Sequence, residues 1–191
     1  MDADGLTFTV ATTAEERVAR RLGLRTARIG VRGAAGLPDG KLVSFGVAGA
    51  LGGDLRVGDV LDATRVVDRT GATLWEGDGL GVRGARPGTV LASDVLVHDP
   101  SERRRLREES GADAVDMESG VLARSGRLAG VVRAISDGVD SDVEGVDSTV
   151  HADGRTDVAG LTRWVVRKRG RAVRAMRDAM TALDALERSF A

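Results

Sequence analysis

The sequence predicts a single-domain α/β protein with a central, largely parallel or mixed sheet. Short β-branched or apolar runs alternate along the chain with segments of helical periodicity. One of these runs, "LAGVVRAIS" (128–136), is almost wholly apolar, as expected of a strand that is covered on both faces. The 191 residues also suit one domain with a full hydrophobic core. We therefore expect a single domain over residues 1–191.

The first half of the chain carries most of the predicted strands. The β-branched run "LTFTV" (6–10) precedes a helix at 12–22, which Thr12 or Thr13 can cap. Further strands are predicted at 26–31, 41–55, 58–67, 72–75 and 89–97. The segment 41–55 is expected to run from a buried strand into a glycine-rich bend.

The second half predicts helices around one buried strand. A charged helix is predicted at 100–110, where proline occupies the first position. "ADAVDM" leads into a second helix at 118–126, and the apolar strand at 128–136 follows. Apolar residues then recur every three or four positions in a C-terminal helical segment at about 157–190. Gly170 is expected to break that segment into two helices.

Composition excludes several classes of function. The net charge of −1 gives no general attraction to nucleic acid or to an anionic membrane. The absence of cysteine excludes disulfides, thiol catalysis and cysteine-based zinc sites. The start, "MDADGLTFTVATTAEE", lacks the apolar run of a signal peptide, and no segment approaches the roughly 20 apolar residues of a membrane span. We expect a cytoplasmic protein.

Two carboxylates lie in apolar surroundings at the ends of predicted strands. Asp137 ends the buried strand, and Glu118 follows Met117 at a strand-to-helix turn. In α/β sheets, sites form beyond the carboxyl ends of strands, where an acid partly removed from water can give a proton to a leaving group. An acid near a helix N-terminus would stay ionised and accept hydrogen bonds from a diol. The pair suits cleavage of a glycosidic bond, although the same spacing fits a turn residue and a helix-terminal acid without chemical roles.

Three motifs together resemble those of a known enzyme superfamily. "SFGVAGALGGDLRVGDV", "AVDMESGVLA" and "VVRAISD" are similar, in order and in spacing, to motifs of the purine nucleoside phosphorylase and methylthioadenosine nucleosidase superfamily. The resemblance covers most of residues 6–140. It implies a nucleoside phosphorylase-like three-layer α/β/α fold with a central mixed sheet. The tail after residue 152 and the phrase "VSFGVAGAL" look closest to the hopanoid-biosynthesis-associated branch, thought to remove adenine from adenosylhopane.

The resemblance also implies an activity. It implies cleavage of the N-glycosidic bond of a purine nucleoside, of adenine type, by phosphorolysis or by hydrolysis. No metal or organic cofactor is expected, although phosphate could be a co-substrate. The expected partners are a small nucleoside and further copies of the chain in a homo-oligomer, with no nucleic acid and no membrane span.

The matching motifs carry roles for the purine and the ribose. Asp137 of "ISD" would protonate or hydrogen-bond the purine at N7, with Ser136 helping to orient the base. Glu118 of "DMES" would hold the 2′- and 3′-hydroxyls, and Met117 would pack under the sugar. The other residues expected to line the base and ribose are Ala48, Gly49 and Leu96.

The turn after the first predicted strand would bind or activate the nucleophile. Arg17 of "AEERVA" resembles an arginine that grips phosphate in phosphorylases. Glu15 or Glu16 would occupy the place of the acid that activates water in nucleosidases, and the sequence leaves the choice between them open.

The sequence departs from the superfamily pattern at four places. Val47 replaces a usual serine near the nucleophile, threonines replace phosphate-binding glycines in the first turn, and Leu96 replaces an aromatic residue. The connection between Gly33 and Lys41 is shorter than the helical segment of relatives. The valine favours water over phosphate. The shortened first half leaves open a catalytically weak relative that binds a nucleoside as a sensor or partner module.

Other candidate sites are weaker. "GVAGALGG" lacks the glycine spacing of a dinucleotide fingerprint, and the acidic stretch 137–148 lacks the spacing of a calcium loop. The two histidines, His98 and His151, lie in separate loop-like segments and are expected at the surface. The basic cluster "RKRGR" (167–171) is typical of a solvated helix face.

Overall fold

The computed structural model describes residues 5–141 and 143–191. Residues 1–4 of the segment predicted not to be a signal peptide, and Asp142 of the acidic stretch, lie outside the described residues. The strands are β1 Leu6–Val10, β2 Thr26–Arg28, β3 Lys41–Ala50, β4 Val60–Val67, β5 Thr73–Glu76, β6 Arg86–Ala92, β7 Ala114–Asp116 and β8 Leu128–Asp137. The helices are α1 Thr13–Arg21, α2 Pro100–Ser110, α3 Ser119–Arg124, α4 Val158–Lys168 and α5 Gly170–Phe190, with short 3₁₀ turns at Val31–Gly33 and Val146–Thr149.

The strands form one mixed sheet that closes on itself. Strand β8 pairs with both β3 and β4, while β3 and β4 are also connected through β7 and β6. These pairings close a ring of β3, β8, β4, β6 and β7, with β1 and β2 extending from β3 and β5 extending from β4. Strands β1, β2, β3 and β8 run parallel, whereas β7 is antiparallel to β3 and β4 is antiparallel to β8. The predicted α/β class with a central mixed sheet is confirmed.

Helices cover the sheet on two sides. On one side α1 and α5 pack against β1, β3 and β8 around Phe8, Phe45 and Phe190, whose rings meet edge to face at centroid distances of 5.5–6.1 Å. On the other side α3 packs over β4, β5 and β6 through Leu122. Aromatic contacts of this kind add to the free energy gained by burying apolar area.

Most predicted elements occur, and their ends differ in informative ways. Helix α2 has the predicted bounds because Asp99 caps its start and Gly111 ends it in the left-handed conformation. Strand β3 ends at Ala50, and β6 spans 86–92, so 93–97 is a loop. The C-terminal helices separate at Arg169, which has a φ of 48°, and Gly170 begins α5.

Strand register brings several segment ends to one edge of the sheet. In the parallel pair of β3 and β8, Gly46 lies opposite Arg133, and Gly49 lies opposite Asp137. Strand β7 runs antiparallel to β3 and pairs Val115 with Gly49. The residues that follow Val115 therefore run back alongside β3 in the direction of Gly46. The first turn after β1 also reaches this edge, because the Val47 N–H donates to a side chain of α1.

Candidate active site

A buried guanidinium organises the acids at this edge. Arg133, on β8, is only 1% exposed. Its Nε and Nη2 donate to Asp116 Oδ2 at 2.6 and 2.5 Å, and Nη2 also lies 2.6 Å from Ser44 Oγ. Glu118 Oε2 lies 3.8 Å from the same nitrogen. Burial alone would lower the pKa of Arg133, but Asp116, Glu118 and Glu15 outweigh it and raise that pKa.

Glu118 lies at the N-cap position of α3, where burial controls its charge. Its Oε1 accepts a 3.1 Å hydrogen bond from the Arg32 backbone N–H. Burial raises the pKa of Glu118 to about 7, with further increases from Asp116 and Glu15, against the lowering effect of Arg133. The helix N-terminus therefore does not keep this acid fully ionised, and near neutral pH it is only partly charged. The side chain makes no capping bond, and α3 has six residues, so desolvation dominates.

Glu15 is held rigidly by backbone donors. Its Oε2 accepts from the N–H groups of Ala11 and Thr12 at 3.0 and 2.8 Å and from Thr12 Oγ1 at 3.0 Å. Its Oε1 accepts from the Val47 N–H at 2.9 Å. Thr12 and Glu15 form a reciprocal capping box at the start of α1. The carboxylate is buried, and each of its oxygens accepts at least one hydrogen bond, which is the condition for placing a charge inside a protein.

Gly46 allows Glu15 and Arg133 to approach the same stretch of β3. A Cβ at residue 46 would overlap Glu15 Oε1 and would lie 2.6 Å from Arg133 Nη1. The side chain of Val47 packs instead on the apolar cluster around Phe8, while its N–H serves Glu15. The glycine is thus required by the two charged groups that meet over it.

Asp137 occupies a second position along the same edge. It ends β8, and its side chain is 15% exposed. Ser136 Oγ donates to its Oδ1 at 2.7 Å, and Arg103 Nη2 donates to its Oδ2 at 2.5 Å. A Cβ at Gly49 would lie 2.8 Å from Asp137 Oδ2. The structure therefore places Gly49 and Ser136 against Asp137, beside the main chain of Ala48, whose carbonyl oxygen lies 3.3 Å from Ser136 Oγ.

Two predicted residues of α1 lie away from the buried acids. Arg17 is exposed and lines a surface groove with Thr13, Glu16, Arg20 and Arg21. Glu16 pairs with Arg20 at 2.7 Å and with Arg28 at 3.0 Å. The helix therefore turns Glu15 inward and Glu16 and Arg17 outward.

The remaining predicted residues are placed as follows. Met117 is half-buried between two acids of the edge, Asp116 and Glu118, and Leu96 is half-buried in the loop after β6. His98 and His151 are exposed. Over residues 5–141 and 143–191, no group of three or more histidine or acidic side chains could hold a metal ion. In the same part of the chain, no helix is long and apolar enough to cross a membrane.

Comparison with known proteins identifies the fold. No model of a protein family matches the chain, and no curated protein matches it. The 5′-methylthioadenosine/S-adenosylhomocysteine nucleosidase from Helicobacter pylori matches with a TM-score of 0.58 and 18% identity over 96% of each chain. The 5′-methylthioadenosine nucleosidase of Arabidopsis thaliana matches with a TM-score of 0.58 and 14% identity, over 96% of this chain and 91% of that one. This chain has the nucleosidase fold.

A third structure has the same fold and a different name. The futalosine hydrolase of Helicobacter pylori matches with a TM-score of 0.54 and 17% identity, over 94% of this chain and 97% of that one. The nucleosidase fold agrees with the superfamily that the three sequence motifs resemble. The narrower resemblance to the hopanoid-associated branch stays a prediction.

Proposed function

We propose that this protein hydrolyses the N-glycosidic bond of a purine nucleoside. The observation that carries the proposal is the buried, fixed Glu15 carboxylate on the same sheet edge as Glu118 and Asp137. The names of proteins that share the fold, which are nucleosidases and a hydrolase, support an activity of this class.

The three acids divide the reaction among them. The C1′–N9 bond breaks with its electron pair moving to the purine, and Asp137 supplies a proton or a hydrogen bond at N7. Glu118 accepts hydrogen bonds from the ribose hydroxyls. Glu15 accepts a proton from the water that attacks C1′ of the cation-like sugar. The products are the free purine and the free sugar, and the nucleoside and one water supply all their atoms.

The first turn favours water over phosphate as the nucleophile. Anions bind at helix N-termini because several backbone N–H groups there lack partners. In this chain the N–H groups of Ala11 and Thr12 already donate to Glu15, and the Thr13 N–H donates to Gly154 O at 3.0 Å. Arg17 lies on the outer face of α1. A phosphate at this turn would have to displace Glu15.

The base and the 5′ substituent are finer parts of the proposal. Adenine is the proposed base because "ISD" resembles the motif of the branch that takes 6-aminopurines. Adenosylhopane is a candidate substrate through the resemblance of the tail. The short connection from Gly33 to Lys41, in which Ala34, Ala35 and Gly36 are exposed, is consistent with a substituent that extends beyond the protein.

Chromatography of free purine tests the proposal. The wild type is incubated with adenosine, methylthioadenosine, inosine and an adenosyl lipid, each with and without phosphate. We expect adenine release that does not depend on phosphate, and a loss of about 100-fold or more in Glu15→Gln. Glu16→Gln is the matched control, because the carboxylate of Glu16 is next to Glu15 in the chain but faces outward. This variant should keep wild-type activity.

Three results would change the assignment. Release that requires phosphate would make the protein a phosphorylase. Equal activity of Glu15→Gln and Glu16→Gln would remove Glu15 from the mechanism. Binding of nucleosides without any release would favour the sensor or partner module.

A further inference from the structure

Three consecutive arginines of α2 have different surroundings. Arg104 and Arg105 are exposed and pair with Asp140 and Glu109 respectively. Arg103 is 1% exposed and is among the largest fully buried side chains. Burying a guanidinium is costly unless its donors are satisfied, so the position of Arg103 requires a specific set of partners.

Those partners come from separate segments that meet at Asp137. Arg103 Nε donates to Val97 O at 2.9 Å. Its Nη1 donates to Gly138 O at 2.9 Å and to Ala50 O at 3.3 Å, and its Nη2 donates to Asp137 Oδ2 at 2.5 Å. One planar group therefore ties together the loop after β6, the end of β3 and the end of β8.

We propose that Arg103 is the positioning residue for Asp137, the proton donor of the proposed nucleosidase. The inference rests on the proposed function. With Ser136 on Oδ1 and Arg103 on Oδ2, the carboxyl plane of Asp137 cannot rotate freely. A catalytic acid must be held within a narrow range of orientations to reach one atom of its substrate.

The guanidinium also contributes charge. When Asp137 gives its proton to N7, a carboxylate remains at a partly buried place. The positive charge 2.5 Å away stabilises that carboxylate, so the interaction strengthens as the bond breaks. Arg103 further fixes the backbone of Val97, next to Leu96, which is expected to line the base. It thus connects the acid with the base-facing loop.

Kinetics of purine release test this role. Arg103→Met should lower kcat about 100-fold with little change in KM, because the acid is misplaced while the ribose contacts of Glu118 remain. Arg104→Met and Arg105→Met are matched controls on the same turn and should keep wild-type kcat. Circular dichroism and thermal unfolding of each variant establish that it is folded.

A double-mutant cycle separates positioning from a general structural role. If Arg103 acts through Asp137, the variant with both Arg103→Met and Asp137→Asn should have the kcat of Asp137→Asn alone. If the fold losses in kcat of the two single variants instead multiplied in the double variant, the proposal would be overturned, because Arg103 would then act independently of Asp137. Added guanidinium at low millimolar concentration should partly restore Arg103→Ala and should leave Asp137→Asn unchanged.

The outcomes also distinguish this inference from the proposed function. An active wild type with Arg103→Met equal to Arg104→Met would overturn the positioning role alone. A wild type that releases no purine would overturn both. If Arg103→Met does not fold, Arg103→Lys is used, since its ammonium keeps the charge but cannot reach all the carbonyls. The proposal then requires that Arg103→Lys lower kcat in the wild-type background. In the Asp137→Asn background, Arg103→Lys should cause no further loss of kcat.

Discussion

The cluster around Arg133 and the pair of Asp137 with Arg103 balance charge differently. Around Arg133, one guanidinium serves Asp116 directly and has Glu118 at 3.8 Å, and Glu15 lies near enough to influence its pKa. At Asp137, one guanidinium faces one carboxylate, and the other donors of Arg103 go to carbonyls. The first region places three acids around one buried guanidinium, and the second places one acid against one buried guanidinium.

This difference predicts that the two regions have different functions. Burial, together with Asp116 and Glu15, raises the pKa of Glu118 to about 7 against the lowering effect of Arg133, so the charge of Glu118 changes with pH near neutrality. In the second region the carboxyl group is fixed by side-chain donors on both oxygens. The first region is therefore sensitive to pH through Glu118, and in the second region two donors hold the proposed proton donor, Asp137, in one orientation.

Removing the guanidinium of the first region should have the largest effect. Arg133→Met leaves Asp116 buried without the cation that accompanies it, so we expect the free energy of unfolding to fall by about 3–5 kcal/mol. Urea denaturation measures it. Arg105→Met, which removes an exposed pair with Glu109, should cost about 1 kcal/mol or less. Equal stability of the two variants would show that the buried acids do not depend on Arg133.

Filling the space between the charged groups should have the next largest effect. Gly46→Ala puts a methyl group where Glu15 Oε1 lies, so we expect purine release to fall by about 100-fold. Gly53→Ala is the control, because among the described residues nothing lies within 4 Å of the added methyl. Full activity of Gly46→Ala would mean that Glu15 works from another position.

Changing pH should affect the two regions differently. In the proposed mechanism the ribose hydroxyls bind to ionised Glu118. Because the pKa of Glu118 is raised to about 7, nucleoside affinity should increase about tenfold from pH 6 to pH 8. Isothermal titration calorimetry measures the affinity, with Asp137→Asn used to prevent turnover. Glu118→Gln should bind weakly and without this pH dependence. If the protein that retains Glu118 bound the nucleoside with the same affinity at pH 6 and pH 8, the role of Glu118 would be contradicted.

The same pKa shift has a consequence for stability. Because the pKa of Glu118 is higher in the folded protein than its ordinary value of 4.5, the folded state holds the proton between about pH 4.5 and 7. The contribution of Glu118 to the free energy of unfolding should therefore fall as pH rises through that window. Glu118→Gln should lack this fall.

The smallest predicted effect concerns the cap that holds Glu15. Thr12→Ala removes the hydroxyl that bonds both the Glu15 carboxylate and its backbone N–H, and should cost about 1 kcal/mol of stability. Thr12→Ser keeps the hydroxyl and should be close to wild type. Thermal unfolding measures both variants. An equal loss in both would assign the effect to the methyl group rather than to the cap.

Several site features were accessible from the sequence. Asp137 and Glu118 were predicted at strand ends because a lone acid after an apolar run is locally visible. The choice of Glu15 over Glu16 also had a signal. Thr12 and Glu15 have capping-box spacing, and Glu15 shares a helix face with Val18 and Leu22. Arg133 also has a signal in the sequence, because it is the one charged residue within the apolar run 128–136.

Other features had no local signal. Nothing in the run of arginines at 103–105 marks Arg103 as the buried member, because its partners lie 6 to 53 residues away along the chain. The high pKa of Glu118 depends on burial by segments distant in sequence.

The sequence by itself determined the alternation of strands and helices, the caps of α1 and α2, and the acids at the ends of strands. These are consequences of side-chain periodicity and of backbone hydrogen bonding within a few residues. The tertiary structure alone decided the closed ring of strands and the partners of Arg103 and Arg133. Those outcomes depend on strand register and on the desolvation of charges, which are set only when distant segments pack together.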